Sequence, residues 1–88
     1  MRYVLLYEAA DDVLETAPIH FDAHRARWPR FHEQGTLLMI GPFADPTQGA
    51  LAIFTTREAA EAFARDDPFV TNGVVRRWEI REWNEALT

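Results

Sequence analysis

Apolar positions in this chain fall into short dense runs separated by charged, amphipathic stretches. Arg2–Glu8 holds Tyr3, Val4, Leu5, Leu6 and Tyr7 in sequence, so both alternating faces, Tyr3/Leu5/Tyr7 and Val4/Leu6, are apolar. Such a run reads as a strand covered on both sides. Thr36–Gly41 and Ala50–Thr55 repeat the pattern and read as the second and third strands. Val74–Trp83 differs: Val74, Trp78 and Ile80 point one way while Arg77, Glu79 and Arg81 point the other.

The segments between these runs carry helix and turn signals. Ala9–Ala17 reads as an acidic loop, and Pro18 opens a helix, where its missing N–H costs nothing. From Ile19 to Gln34 the residues Phe21, Trp28 and Phe31 stand roughly at helical spacing, with Gly35 as a C-terminal cap. Pro29 removes the backbone bond to Arg25, which predicts a kink or break around Arg25–Trp28. Pro42–Gly49 is a turn. Thr55-Thr56-Arg57-Glu58 reads as a capping box in which Thr55 caps the amide of Glu58. The helix that follows runs to about Asp66 and buries Ala59, Ala60, Phe63 and Ala64. Asp67-Pro68 ends it, Phe69–Asn72 make one more turn, and Asn84–Thr88 form a tail.

The order β-α-β-β-α-β is the split βαβ arrangement. It predicts an α+β, ferredoxin-like fold over residues 1–83: a four-stranded antiparallel sheet with both helices on one face. The first three strands then stay apolar on the helix-free face. Cover by a second copy of that face about a two-fold axis predicts a homodimer packed sheet to sheet.

Composition sharpens this expectation. The chain has 88 residues and is 48% hydrophobic, with three Trp, two Tyr and six Phe. A domain of this size buries only roughly 60–65% of its unfolded surface, so some apolar surface needs a partner or stays exposed. Nine Arg, with no Lys, against 14 Asp and Glu give a net charge of −5. That balance argues against a phosphate-backbone binder, and Arg25, Arg27 and Arg30 around Trp28 read as a solvated helix face. The absence of Cys excludes disulfides, thiolate metal sites and Cys nucleophiles, and fits a cytoplasmic protein. The first apolar run ends at Glu8, too short for a signal-peptide core or a membrane span. Neither nucleic acid nor membrane is expected as a partner.

His24 is the first candidate for chemistry, because an unperturbed imidazole with a pKa of about 6.5 moves protons near neutrality. The competing account is a partly exposed helix His among charged neighbours. Asp67, placed before Pro68, suits an N-cap; facing His24, it would also orient the imidazole and stabilise its charge. Both roles are compatible with one carboxylate. His20 and His24 share a helix face, with Asp22 and Asp67 as additions, but no third ligand is defined and no metal is assigned. His32 is read as a surface or interface residue. A pocket between helix and sheet would hold a small, partly apolar ligand, with Tyr7, Met39, Gly41, Pro42 and Phe69 as its binding residues. Nothing resembles a phosphate-binding loop, and no cofactor is called for.

Three stretches carry a family resemblance. One is His24, an amphipathic segment, and then Gly35-Thr-Leu-Leu-Met-Ile-Gly-Pro42. The second is Leu51–Arg65 with its Glu58-Ala59-Ala60 start. The third is Asp67-Pro68-Phe69-Val70, Gly73 and a final strand ending in Glu82-Trp83. Together they resemble the YciI-like (YCII-related) family of small bacterial proteins over about Arg2–Trp83. Arg25 and Pro29 depart from its pattern. The resemblance implies a dimeric α/β barrel of ferredoxin-like protomers. It also implies an active site pairing His24 with Asp67, and lyase or isomerase chemistry on small cyclic or aromatic-derived compounds. Two readings follow: a cofactor-independent acid/base enzyme, or a non-catalytic small-molecule-binding or accessory dimeric module.

Overall fold

The computed structural model describes all 88 residues. Its strands are β1 (Arg2–Ala9), β2 (Leu37–Pro42), β3 (Ala50–Phe54) and β4 (Val75–Trp83). They form one sheet in the order β2-β3-β1-β4, with every neighbouring pair antiparallel. The helices are α1 (Val13–Arg25), α2 (Trp28–Glu33), α3 (Arg57–Asp66) and α4 (Pro68–Thr71). This is the expected α+β, ferredoxin-like arrangement with the helices on one face. No helix is long and apolar enough to cross a membrane.

The register explains how the sheet divides its side chains. Leu5 pairs with Ala52 and Ile80, and Tyr7 pairs with Ala50 and Trp78. These residues face the helices. Leu5, Ala52, Phe54 and Leu37 from the sheet pack with Phe31, Ala60, Phe63 and Ala64 from the helices in one buried cluster. Phe31, Phe54 and Phe63 meet there in edge-on and tilted ring contacts. The other face presents Val4, Leu6, Ile53 and Met39 at the centre and Arg77, Glu79 and Arg81 along β4.

Several local readings change. The first helix begins at Val13, not at Pro18, and Pro18 lies inside it. The acidic residues before Pro18 gave that stretch the look of a loop, but acidic side chains favour the positive end of a helix. Val13 is buried and anchors the added turns. The break expected near Pro29 is present: α1 ends at Arg25 and α2 starts at Trp28, which leaves Pro29 in the first turn of α2. The cap of α3 is Thr56, whose Oγ1 accepts the Ala59 N–H at 3.1 Å, rather than Thr55 serving Glu58. Thr55 Oγ1 instead donates to the Gly35 carbonyl at 3.3 Å.

Gly49 shows where the backbone admits no side chain. Its φ is +99°, and a Cβ there would run into the Tyr7 carbonyl. The tight approach seats the turn before β3 against β1 at Tyr7, a residue of the site below.

Candidate functional site

The site lies where α1, the α3–α4 joint and β1 converge. Three elements each deliver one polar group. The last turn of α1 delivers His24, which is 5% exposed. The break between α3 and α4 delivers Asp67, which has no exposed surface. The C-terminal half of β1 delivers Tyr7. Asp67 sits there because Pro68 cannot continue α3, so the chain turns to an extended conformation and restarts as α4.

Asp67 is the hub. Its Oδ1 accepts the Phe69 backbone N–H at 3.0 Å, the expected cap. The same oxygen lies 2.7 Å from His24 Nδ1. Its Oδ2 accepts the Tyr7 hydroxyl at 2.6 Å. A buried ionised carboxylate is very unfavourable alone, and these three donors compensate it. Because the carboxylate is an acceptor, Nδ1 of His24 carries the proton and Nε2 of the neutral ring is the basic nitrogen. Nε2 has no protein partner, nor is it sealed off as an unpaired buried atom.

Aromatic rings fix the imidazole. Phe69 stacks on it with centroids 3.9 Å apart and planes 6° from parallel. Trp28 meets it edge-on at 5.3 Å. Tyr7 is locked as a neutral donor: burial first, then the charge of Asp67 and the hydrogen bond to it, push its phenol far above the ordinary range.

His24 opens onto a cavity of about 230 Å³ between helices and sheet. Ala17, Phe21, His24 and Trp28 form one wall, and Leu5, Ile40, Ala50 and Ala52 form the floor. No Arg, Asp or Glu lines it. The arrangement therefore offers one oriented nitrogen base in an apolar, ring-sized space.

Tyr7, Gly41, Pro42 and Phe69, expected as binding residues, all border this cavity. Tyr7 contributes its ring, since its hydroxyl is committed to Asp67. Met39 does not border it; it is 59% exposed on the opposite face of the sheet. The cause is a register shift in β2 between Leu37 and Met39, which brings Ile40 to the helix side. His20 does not join the pair, and no group of three or more His, Asp or Glu side chains assembles. His32 turns away, its Nδ1 donating to the Leu37 carbonyl at 3.0 Å. Phe21, Trp28 and Phe63 were not singled out as site residues. For Phe21 and Trp28 the signal was the stripe Ala17, Phe21, His24, Trp28, which keeps helical spacing across the break between α1 and α2.

Comparison with known proteins agrees with this picture. The model of the YCII-related domain matches residues 1–84. The proteins named YciI of Escherichia coli O6:H1 and Shigella flexneri are each 31% identical to the chain, over 99% of it and all of their own length. Among solved structures, 5-chloro-2-hydroxyhydroquinone dehydrochlorinase from Burkholderia phenoliruptrix AC1100, in complex with 2,5-dihydroxybenzoquinone, is similar in fold. Its TM-score is 0.79 at 17% identity, covering 98% of this chain and 96% of that one.

Proposed function

The chain belongs to the YCII-related family, and from that premise we propose that it is an acid/base enzyme of lyase or isomerase type acting on a small organic molecule. His24 is the general acid/base, and Asp67 orients it and stabilises its charged form. The observation that carries this reading is the buried 2.7 Å contact between His24 Nδ1 and Asp67, with the second ring nitrogen left for the cavity.

The chemistry follows from that geometry. A substrate carbonyl next to an acidic C–H places the proton at Nε2. Transfer leaves an enolate and an imidazolium, and the adjacent carboxylate stabilises the new positive charge. The imidazolium then returns the proton to a different carbon, which is isomerisation. Otherwise the enolate expels a leaving group from the neighbouring carbon, which is elimination. Tyr7, Gly41, Pro42 and Phe69 shape the space that holds the substrate, and its apolar walls favour an uncharged ring. The dehydrochlorinase of similar fold, whose named substrate is a chlorinated hydroxyhydroquinone, supports a ring compound as the first probe.

The working form is a homodimer through the helix-free sheet face. Only 16 of the 88 residues are buried, and Leu38 and Met39 of β2 are exposed. A second copy covers this surface with the least new machinery.

Two assays test the reading. Chloride release from 5-chloro-2-hydroxyhydroquinone reports elimination, and deuterium uptake beside the carbonyl of cyclic ketones reports proton transfer. We expect His24→Ala to lose at least about a hundredfold in either rate, the scale of a general base, with the fold retained. A His24→Ala protein at the wild-type rate would overturn the assignment. A wild-type protein that binds these rings without turning any over would point to the binding module instead.

A further inference from the structure

The joint between α1 and α2 holds a half-buried arginine whose guanidinium bonds across the fold. Arg27 Nη1 donates to the Phe63 carbonyl at 2.8 Å, and Nη2 reaches the Ala62 carbonyl at 3.5 Å. Its guanidinium carbon lies 5.4 Å and 5.0 Å from the ring centroids of Phe31 and Phe63. The backbone N–H of the same residue donates to the His24 carbonyl at 3.3 Å. One residue thus grips the helix end that carries His24 and, across the fold, the last turn of α3.

The Phe63 carbonyl needs this partner. In a continuing helix it would accept the Asp67 N–H, but that N–H turns to the Ala64 carbonyl at 3.4 Å as the helix ends. Pro68 brings no N–H to the joint. The carbonyl is therefore one of the orphans of a helix C-terminus, and a cation there also meets the negative end of the helix dipole.

We propose that Arg27 is a positioning residue for the His24–Asp67 pair, a clamp that fixes the spacing between the two helix ends delivering them. His24 lies three residues before Arg27, and Asp67 lies four residues after Phe63. The clamped segment also touches the imidazole directly, since the Phe63 ring packs edge-on to His24 at 6.1 Å. The Arg27 charge is felt at Tyr7, the other donor to Asp67. Neither a surface arginine nor a simple cap of α3 would make all of these contacts.

The functional meaning of the clamp rests on the acid/base reading of His24, but its test reads geometry. NMR of the full chain follows the His24 Nδ1–H proton, which a buried carboxylate shields from exchange with water. Arg27→Met keeps the length and the packing on both rings but cannot donate. It is expected to speed exchange of that proton by about tenfold, the scale of losing one charged hydrogen bond, while the Leu5 amide in the sheet keeps its protection. Arg27→Lys restores a donor and should recover part of the loss. Wild-type exchange of the His24 proton in Arg27→Met overturns the clamp. So does equal loss of protection at His24 and Leu5 in both variants, which would mark a general structural role. Full turnover in His24→Ala would remove the catalytic reading and leave the clamp's geometry unaffected.

Discussion

The two faces of the sheet handle apolar surface in opposite ways. On the helical face the large side chains of β1 and β3 pack under the helices, and Tyr7, His24 and the Phe69 N–H close into one network around Asp67. On the open face β1, β2 and β3 present Val4, Leu6, Met39 and Ile53 with no helix above them, and charge gathers at Glu8 of β1 and the Arg77, Glu79 and Arg81 stripe of β4. An 88-residue chain supplies one helical layer, enough for one face. The covered face answers to internal chemistry, and in the proposed homodimer the open face answers to assembly. Substitutions on the first should therefore alter folding and the pair, and substitutions on the second should alter association.

The largest effect is expected at Asp67. Asp67→Ala strands three donors at once: Tyr7 Oη, His24 Nδ1 and the Phe69 N–H. Removing one partner of a buried charged network costs about 3–5 kcal/mol. Urea unfolding should show a loss of that size, and calorimetry a fall in Tm of more than about 10 °C for a domain this small. A loss below about 1 kcal/mol would mean the network is not what closes the helical face.

Met39→Glu probes the other face. Met39 is mostly exposed within one chain, so the subunit's own stability should change by less than about 0.5 kcal/mol. In a two-fold interface the same change buries two like charges. The dimer dissociation constant should then rise roughly a hundredfold, equivalent to about 2.7 kcal/mol. Sedimentation at micromolar concentration checks this, and a wild-type protein that sediments as a monomer there defeats the dimer outright.

The reading from sequence reached the element order and the fold class through strong local signals, unbroken apolar strands, Asp before Pro and a helix interrupted at Pro29, and the His24–Asp67 pair through the family resemblance. It failed where tertiary context overrides such signals. Pro18 is tolerated inside α1 because buried Val13 and the stripe from Ala17 to His24 hold that helix on the protein. Met39 left the site because a local register shift in β2 reverses which residues face the helices, and nothing in Leu-Leu-Met-Ile announces it. Tyr7 was expected as a binding residue, and its hydroxyl is committed to Asp67. Its partner lies 60 positions away, beyond any local pattern.

Tyr7→Phe separates the network from its packing. The ring stays on the cavity wall and only the bond to Asp67 Oδ2 is lost, a cost of about 1.5–2 kcal/mol at neutral pH. Its signature is in alkali. The folded phenol titrates above its ordinary value of 10.0, so its contribution is complete below that pH and is lost as pH rises beyond it. Wild-type stability should fall above pH 10 by about 1.4 kcal/mol per pH unit more steeply than that of the variant. Parallel curves for the two proteins would show that Tyr7 is not held as a neutral donor.

The smallest effect discriminates between two adjacent threonines, and it bears on how the covered face is built. Thr56 Oγ1 accepts the Ala59 N–H and starts α3, the helix whose far end releases Asp67 into the site. Thr55 follows β3, and its hydroxyl only tethers the Gly35 carbonyl. Thr56→Ala should therefore cost about 1 kcal/mol, the usual value of an N-cap. Thr55→Ala removes one exposed neutral bond and should cost under about 0.5 kcal/mol. Denaturant midpoints for the two variants make the comparison directly. If Thr55→Ala is the costlier, α3 is capped one residue earlier. The helix would then gain one residue at its start, with Ala60, Phe63 and Ala64 still packed on the sheet.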